Sequence, residues 1–422
     1  MIVQRTLPPT AAPLSLLDIA RGLSGFFRAK RQLKRREEEL RRYFGVRHVF
    51  LVSSGKAALT LILTALSSLS SSRRRVLIPA YTCFSVPSAI IKAGLEVSLC
   101  DIDPKTLDFD FQSLQQSLDH DTLCVVPTHL LGLPSDVDRV KSLCQGRKIF
   151  VVEDAAQAMG VKDKDRVLGT VGDVGFFSFG RGKNVTCGSG GAVVTNSDNV
   201  AAAIQAFHAR LESEPLGRLL RNVFEIIAMH ILINPKIYWL PSGLPFLRLG
   251  ETKFSLDFPV CRMDALRAAL LSHWEQRLGW ANSVRRHTSL GVMKGLLPQV
   301  DVIRKSSHQH TTYLRLPILL ESKNAKEEIC RLSQRLGLGI SPLYPTAIQA
   351  IPELEGTLAR TICPAASLVA ERLVTLPVHP FVRQKDRDYL CKTVNTLCAT
   401  AFAENSFSSH SNLRRRDATA PV

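Results

Sequence analysis

The sequence has no run of about 18 apolar residues, the length at which a membrane-spanning helix is expected. It also lacks a charged amino-terminal region followed by a long apolar stretch, because Asp18 and Arg21 interrupt the leucines there, so no signal peptide is predicted. Its ten cysteines are scattered, with no CxxC pair and no histidine at metal-ligand spacing. This pattern argues against a disulfide framework or a zinc site and predicts reduced thiols in a cytoplasmic protein.

The composition excludes further classes of protein. Of 422 residues, 45% are hydrophobic and 22% are charged, which is the balance of a globular chain rather than of a disordered or collagen-like one. Lysine and arginine number 54 against 37 aspartates and glutamates, which gives a formal net charge of +17. A surface this basic favours a partner that carries phosphates or carboxylates, or an anionic membrane.

From residue 48 onward, short apolar strands alternate with helical stretches. Strands are predicted at 48–52, 75–79, 96–102, 123–130 and 149–155, with a late pair at 176–179 and 191–195. This alternation predicts an α/β fold with a mainly parallel sheet, and ligands of such sheets bind beyond the carboxyl ends of the strands. Farther along the chain, one long helix is predicted over 262–287 and a last helix over 385–403.

We predict four parts along the chain. An amino-terminal helical segment covers 1–45, and a large domain covers 46–250 with a helical insertion at about 208–250. A smaller C-terminal α/β domain covers 251–403, and a tail expected to be disordered covers 404–422.

Two segments are candidates for contacts with macromolecules. Residues 26–44 form a charged helix, but the consecutive glutamates 37–39 would repel phosphates, so we interpret it as a solvated surface helix and expect no nucleic-acid binding. Residues 216–247 are basic and apolar and include the neighbours Tyr238 and Trp239. We favour a helical hairpin packed on the subunit or across a dimer interface. The alternative is an interfacial helix that places the protein peripherally at the inner face of an anionic membrane.

Three local features follow predicted strands. Ser54, Gly55 and Lys56 lie at the start of a helix, where free N–H groups form an anion cup suited to a phosphate. Asp154 ends another strand, a costly position for a carboxylate unless a cation or a donor pairs with it. Lys183 lies on a short glycine-containing turn, where partial burial favours the neutral amine that a Schiff base requires. Taken alone, each feature also has an ordinary explanation. The Ser54 and Asp154 motifs are typical of helix N-caps, and Lys183 is typical of an exposed loop lysine.

The combination is more specific than any one feature. A phosphate cup, a carboxylate at a strand end and a downstream lysine together predict a pocket for pyridoxal 5'-phosphate (PLP). In such a pocket the carboxylate keeps the ring nitrogen protonated, so that the ring withdraws electrons, and the lysine carries the aldehyde.

With these motifs the chain resembles the DegT/DnrJ/EryC1/StrS family of PLP-dependent aminotransferases, from about residue 37 to about residue 400. The segments that carry the resemblance include SSGKAAL, VVEDAAQAMG, GDVGFFSFGRGKNVTCGSGGAVVTN and RLVTLPVHP. The EDAAQA and FSFxxxKN blocks and their spacing are highly specific. The resemblance implies fold type I, with a mainly parallel seven-stranded sheet in the large domain and a smaller C-terminal α/β domain. It also implies a homodimer with each active site at the subunit interface.

The motifs assign roles to individual residues by resemblance. Lys183 matches the lysine that holds the coenzyme as a Schiff base and moves the proton in transamination. Asp154 matches the partner of the pyridine nitrogen, Gln157 the glutamine that contacts the ring, and Ser178 the serine on the phosphate. Lys183 and Asp154 are therefore the predicted catalytic residues, and no metal is expected. The remaining predicted cofactor contacts are Ser54, Gly55, Lys56, Cys83 and Phe84.

The chain departs from the family's pattern at several places. It has Lys56 where the family usually has threonine, and Cys83 where an aromatic residue stacks on the ring, so Phe84 or Tyr81 is expected to substitute. Positions 260–262 read Val-Cys-Arg in place of the family's Asn-Tyr-Arg element, and the segment 208–250 replaces a short basic loop.

The resemblance implies an aminotransferase that moves an amino group from glutamate or glutamine to a ketone of a nucleotide-linked deoxysugar. Relatives that act as sugar dehydratases have histidine in place of Lys183, so transamination is favoured. The alternatives among enzymes are a PLP-dependent sugar dehydratase and an aminotransferase that acts on a non-nucleotide cyclic ketone. An alternative of another class is a non-catalytic PLP-binding or membrane-associated relative, and the intact set of motif residues argues against it.

Overall fold

The computed structural model describes residues 5–25, 29–244, 252–304, 311–358 and 362–399. The strands up to residue 195 are β1 (His48–Val52), β2 (Arg75–Pro79), β3 (Glu96–Cys100), β4 (Thr122–Val125), β5 (Phe150–Asp154), β6 (Lys162–Asp163), β7 (Arg166–Val167), β8 (Val174–Ser178) and β9 (Gly191–Thr195). The helices up to residue 242 are α1 (Leu16–Gly25), α2 (Ala29–Phe44), α3 (Gly55–Leu69), α4 (Ser85–Lys92), α5 (Phe111–Ser117), α6 (Val137–Cys144), α7 (Asp198–His208), α8 (Leu216–Leu232) and α9 (Trp239–Ser242). The predicted tail 404–422 and the predicted domain boundary at 250 lie outside the described residues.

Within the described ranges, seven strands form one sheet in the order β3-β2-β4-β5-β8-β9-β1. Neighbouring strands are parallel except at β9, which pairs antiparallel with both β8 and β1. β6 and β7 form a separate hairpin. The mainly parallel seven-stranded sheet expected from the sequence is confirmed. The carboxyl ends of β1, β2, β4, β5 and β8 therefore lie at one edge of the sheet.

Helix α3 begins at that edge. Ser54 is its N-cap, and the Ser54 hydroxyl accepts a hydrogen bond from the N–H of Ala57 (3.1 Å). Residues 57–63 are buried, so the helix is packed against the interior along its first two turns. The N–H groups of Gly55 and Lys56 lie in the first turn, where an α-helix offers no acceptor to its donors.

The C-terminal part forms a smaller α/β unit. Its three-stranded antiparallel sheet has the order β10 (Asp301–Val302), β11 (Leu316–Leu319) and β12 (Leu373–Leu376). The helices from residue 265 onward are α10 (Ala265–Leu270), α11 (Trp274–Gly295), α12 (Lys323–Leu336), α13 (Glu355–Leu358), α14 (Pro364–Arg372) and α15 (384–399).

The structure corrects the single helix predicted over 262–287. α10 ends at Leu270 and α11 begins at Trp274. Between the two helices, His273 adopts the left-handed conformation (φ 55°). Carbonyl groups at the break accept hydrogen bonds from the guanidinium groups of Arg36 (3.0 Å) and Arg277 (2.6 Å), and the Trp274 side chain is buried. Long-range capping and packing override the local helical pattern here.

The predicted strand 123–130 is also shorter than expected, since β4 ends at Val125. Pro127 follows two residues later, and a proline has no N–H to donate to a neighbouring strand.

The amino-terminal segment 5–15 joins the two parts of the molecule. The N–H of Leu7 donates to the carbonyl of Gly337 in the C-terminal unit (2.8 Å). The Thr10 hydroxyl donates to the carbonyl of Gly182 in the large domain (3.0 Å). The segment is thus fixed by both units at once.

The two units also meet directly at Gly132. Its φ is 87°, and a Cβ there would collide with the carbonyl oxygen of Thr312. The N–H of Leu314 donates to the carbonyl of Leu131 (2.8 Å). The turn after β4 and the segment before β11 are therefore in backbone contact.

Gly132→Ala is expected to lower the free energy of unfolding by roughly 2–3 kcal/mol, because the substitution adds backbone strain and a steric collision. Gly94→Ala is the matched control, since Gly94 also has a positive φ (74°) but a Cβ there would meet nothing within 4 Å. It is expected to cost about 1 kcal/mol from strain alone. Equal melting temperatures of the two variants in calorimetry would contradict the described contact between the units.

Candidate active site

A cavity of about 190 Å³ lies at the carboxyl edge of the large sheet. Its wall contains most of the site residues predicted from the sequence: Ser54, Gly55, Lys56, Cys83, Asp154, Gln157, Ser178 and Lys183. Phe84 is not part of this wall, and its ring packs instead with Tyr344 (6.5 Å between ring centroids). A more open groove lies between α2, β1 and α7, but polar surface side chains such as His48 and Asp198 pair with each other there (2.7 Å).

Two glycines let the start of α3 approach the end of β8. A Cβ on Gly55 would lie 3.0 Å from the Cβ of Ser178. A Cβ on Gly191, which pairs with Ser178 across β8 and β9, would collide with the carbonyl of Ser54. The space that these glycines leave open is bordered by first-turn N–H groups and by the Ser178 hydroxyl. This arrangement is an anion cradle of the kind found at helix starts.

Arg285 of α11 fixes the backbone of the loop between β8 and β9 that carries Lys183 (the Lys183 loop). Its guanidinium donates to the carbonyl oxygens of Lys183 (3.3 Å) and Asn184 (3.1 Å), and also to that of Ala11 (3.1 Å). Arg285 is fully buried, and burial lowers its pKa to about 10. It therefore stays protonated at neutral pH and positions the loop through backbone carbonyl groups.

The carboxylate of Asp154 is buried at the end of β5. Its Oδ1 accepts a hydrogen bond from the N–H of Ala156 (3.0 Å). Burial raises the pKa of Asp154, and the Ala156 N–H and the charge of Lys183 offset this only in part. Across the described parts of the chain, no basic side chain forms an ion pair with Asp154. A cation within the cavity would therefore stabilise this carboxylate.

Behind Asp154, a histidine and a glutamate fix the local backbone. The Nδ1 of His129 accepts from the N–H of Ser135 (3.1 Å), so Nε2 carries the proton and donates to Glu153 (2.8 Å). The Glu153 carboxylate also accepts from the N–H of Gly169 (2.8 Å). The backbone N–H of His129 donates to the carbonyl of Asp154 (3.0 Å). This pair therefore positions Asp154.

Gln157 connects the cavity to the C-terminal unit. Its Oε1 accepts from the N–H of Leu131 (3.1 Å), and its Nε2 donates to the hydroxyl of Tyr344 (2.8 Å). Burial raises the pKa of Tyr344 well above its ordinary value, so the phenol is neutral. The contact of Gln157 with the cofactor ring stays a prediction.

Lys56 adds positive charge beside the anion cradle. Its Nζ lies 4.4 Å from the centroid of the Phe258 ring, and the Nζ of Lys92 lies 4.9 Å from the same centroid. Burial lowers the pKa of Lys56, and the nearby charge of Lys92 acts in the same direction. An anion at the start of α3 would offset the repulsion between these two ammonium groups.

The side chains present fit PLP. The cradle suits a phosphate, the Asp154 carboxylate suits a protonated ring nitrogen, and Lys183 supplies the amine. Thr82, after β2, also lines the cavity, and its buried hydroxyl has no hydrogen-bond partner in the described ranges. Sequence reasoning missed Thr82, although its place just beyond the end of a strand was a usable signal.

The sequence profile of the DegT/DnrJ/EryC1/StrS aminotransferase family matches residues 20–223 and 253–395. The chain belongs to this family. The resemblance inferred from the motifs is thereby confirmed, and this enzyme is a PLP-dependent aminotransferase.

Individual relatives cover most of the chain. GDP-perosamine synthase of Escherichia coli O157:H7 is 26% identical over 352 residues, which are 83% of this chain and 85% of that protein. Helicobacter pylori PseC, an aminotransferase involved in the biosynthesis of pseudoaminic acid, has a TM-score of 0.76 at 16% identity, over 94% of this chain and 100% of PseC. DesI, solved in the presence of its TDP-sugar product, has a TM-score of 0.74 at 21% identity, over 96% of each chain. The two structures show that the predicted fold is the fold of this aminotransferase.

Gly55→Ala is expected to weaken PLP binding by roughly tenfold or more, because the added methyl group fills the cradle that would hold the phosphate. PLP affinity can be measured by absorbance titration of the apoenzyme. Gly279→Ala is the matched control, since Gly279 is also a helical glycine and a Cβ there would meet nothing within 4 Å. Unchanged PLP affinity in Gly55→Ala would place the phosphate elsewhere.

Proposed function

We propose that this aminotransferase transfers an amino group from glutamate or glutamine to a ketone of a nucleotide-linked deoxysugar. The supporting observation is that the start of α3, Asp154 and Lys183 converge on one cavity at the sheet edge. The substrate class is supported by the similarity to GDP-perosamine synthase and to DesI, which was solved with a TDP-sugar. The net charge of +17 suits a substrate that carries a diphosphate.

Each residue of the cavity has its own role in the proposed reaction. When bound, PLP supplies an electron-withdrawing ring that stabilises negative charge on the reacting carbon. The first-turn N–H groups of α3 and the Ser178 hydroxyl would hold the phosphate, and the Asp154 carboxylate would keep the ring nitrogen protonated. Lys183 would hold the coenzyme until the amine of the donor displaces it, and the freed Nζ would then take the proton from the α-carbon of the donor. Arg285 keeps the Lys183 loop in place for that transfer.

Lys183→Ala is expected to lower the rate of amino transfer roughly a thousandfold, because both the amine that holds PLP and the base are lost. Transfer of nitrogen-15 from labelled glutamate to 4-keto and 3-keto nucleotide sugars measures the activity and separates transamination from dehydration. Borohydride trapping and mass mapping of wild-type protein should place the coenzyme on Lys183.

The matched control is Lys162→Ala, which removes an exposed lysine of the β6–β7 hairpin. Coenzyme trapped on another lysine, or full activity in Lys183→Ala, would contradict the assignment. Dehydrated product without transferred nitrogen would instead favour the dehydratase alternative.

We also propose that the protein is a homodimer and that α8 contributes to its interface. Phe224, Ile227 and Ile231 recur on one side of α8 and are exposed, Phe224 by 72%. The opposite side of α8 covers the Lys183 loop, where a Cβ on Gly188 would lie 2.8 Å from the side chain of Ile226. Because the resemblance implies active sites at the subunit interface, an apolar surface this close to the site suits a second subunit.

An anionic membrane is the alternative occupant of this surface. No helix in the described ranges has both the length and the apolar character needed to cross a bilayer.

The double substitution Phe224→Glu and Ile231→Glu is expected to convert a dimer to a monomer, because charges on both subunits would face one another. Light scattering after size-exclusion chromatography measures the mass. Leu336→Glu is the control, since Leu336 of α12 is similarly exposed (51%) but lies in the C-terminal unit. If the double variant stays a dimer but no longer binds anionic vesicles that the wild type binds, the exposed side of α8 contacts a membrane instead of a second subunit.

A further inference from the structure

Arg315 is an enclosed guanidinium without an acidic partner. It immediately precedes β11 in the C-terminal unit, and it is densely surrounded by protein although part of its surface remains accessible. Its one described hydrogen bond runs from Nη1 to the hydroxyl of Ser341 (3.3 Å), and its Nε has no partner. In the described ranges it forms no ion pair. A charge enclosed to this extent is costly unless an anion joins it.

The groups around Arg315 do not neutralise it. The ionisable side chains that act on its charge are the phenols of Tyr344, Tyr238 and Tyr81. Burial raises the pKa of each phenol above its ordinary value, so none of them is a phenolate at neutral pH. Neutral hydroxyl groups add hydrogen-bonding capacity around Arg315 without cancelling the positive charge.

The wider surroundings are also positive. Burial lowers the pKa of the neighbouring His379 to about 3, and the charges of three arginines act in the same direction. They are Arg285, Arg315 and Arg5. Arg5 is paired with Asp386 (2.9 Å), whereas the described partners of Arg285 are neutral oxygen atoms. The junction of the two units therefore favours an anion.

Arg315 is connected to the active-site cavity by short contacts. The adjacent residue Leu314 donates to Leu131, whose own N–H donates to Gln157 in the cavity wall. Gln157 also donates to Tyr344, one of the phenols beside Arg315. The guanidinium thus lies on the C-terminal side of the cavity, across the Gln157–Tyr344 pair.

We propose that Arg315 binds a carboxylate of the amino-acid donor. A planar guanidinium fork matches a planar carboxylate by two parallel hydrogen bonds. The enclosure by phenols suits a small carboxylate better than a bulky diphosphate, which makes the donor rather than the sugar nucleotide the expected ligand. The proposal rests on the proposed function, because it assigns the donor subsite of that reaction.

Binding can be measured without turnover. Glutarate, which has carboxylates but no amine to transfer, is titrated calorimetrically into the PLP-loaded holoenzyme. Arg315→Met is expected to weaken glutarate binding roughly tenfold or more, the size of a lost charge-assisted pair. The control Arg335→Met, which removes an exposed arginine of α12, should leave it unchanged.

Melting temperature distinguishes ligand binding from a structural role. Without ligand, Arg315→Met is expected to melt at the same temperature as the wild type or higher, because an unpaired buried charge is replaced by an apolar side chain. Glutarate should raise the melting temperature of the wild type but not of the variant. A clear fall in the melting temperature of ligand-free Arg315→Met would make Arg315 a structural residue and overturn the proposal.

The donor half-reaction identifies which anion is bound. Glutamine lacks the side-chain carboxylate of glutamate, and 4-aminobutyrate lacks its α-carboxylate. If Arg315 binds the α-carboxylate, Arg315→Lys raises the KM of glutamate and glutamine alike and leaves 4-aminobutyrate unchanged. If Arg315→Lys instead raises the KM of glutamate and 4-aminobutyrate but not that of glutamine, Arg315 binds the side-chain carboxylate of glutamate. This outcome also supports the proposal.

Three outcomes count against these proposals, and each rejects a different part. A raised KM only for the sugar nucleotide would assign Arg315 to a phosphate and overturn the donor assignment. If none of the amino-acid donors reacts with the wild-type holoenzyme, the proposed function itself fails. If the wild type reacts normally with the donors and Arg315→Lys has the same donor kinetics, only the role of Arg315 is rejected.

Discussion

Burying a carboxylate at the end of a parallel strand costs several kcal/mol unless donors or a cation compensate, and Asp154 occupies this position at the end of β5. The Ala156 N–H supplies one donor, and burial still raises the pKa of the carboxyl group. The His129–Glu153 pair holds the backbone on which this carboxylate is presented. A protonated pyridine nitrogen would supply the missing cation, so the proposed PLP site depends on this one residue.

Lys183, which lines the same cavity as this carboxylate, is positioned by distant parts of the chain. Arg285 of α11 and the amino-terminal segment 5–15 both bind the loop that carries Lys183. Gln157 and the turn at Gly132 bind the C-terminal unit to the same cavity. The geometry of the site therefore depends on the packing of both units, and a cofactor that contacts the cavity would stabilise the assembled protein.

The sequence was sufficient for the parts of the structure that local chemistry determines. The alternation of strands and helices gave the sheet, and the EDAAQA and FSFxxxKN blocks gave the residues that converge on the cavity. Long-range contacts were not visible in this way. The break at His273 depends on guanidinium groups from α2 and α11, and Arg315 has no local motif because its neighbours lie far away in sequence. The distinctive feature of Arg315, a largely enclosed charge without an acidic partner in the described ranges, appears only once the chain is folded.

The proposed function depends above all on one interaction, in which Asp154 would hold the ring nitrogen of PLP in its protonated form. The most direct measurement is the nitrogen-15 chemical shift of ring-labelled PLP bound to the wild type and to Asp154→Asn, recorded over a range of pH. A protonated ring nitrogen is expected in the wild type at neutral pH and an unprotonated one in the variant. Identical shifts in the two proteins would contradict it.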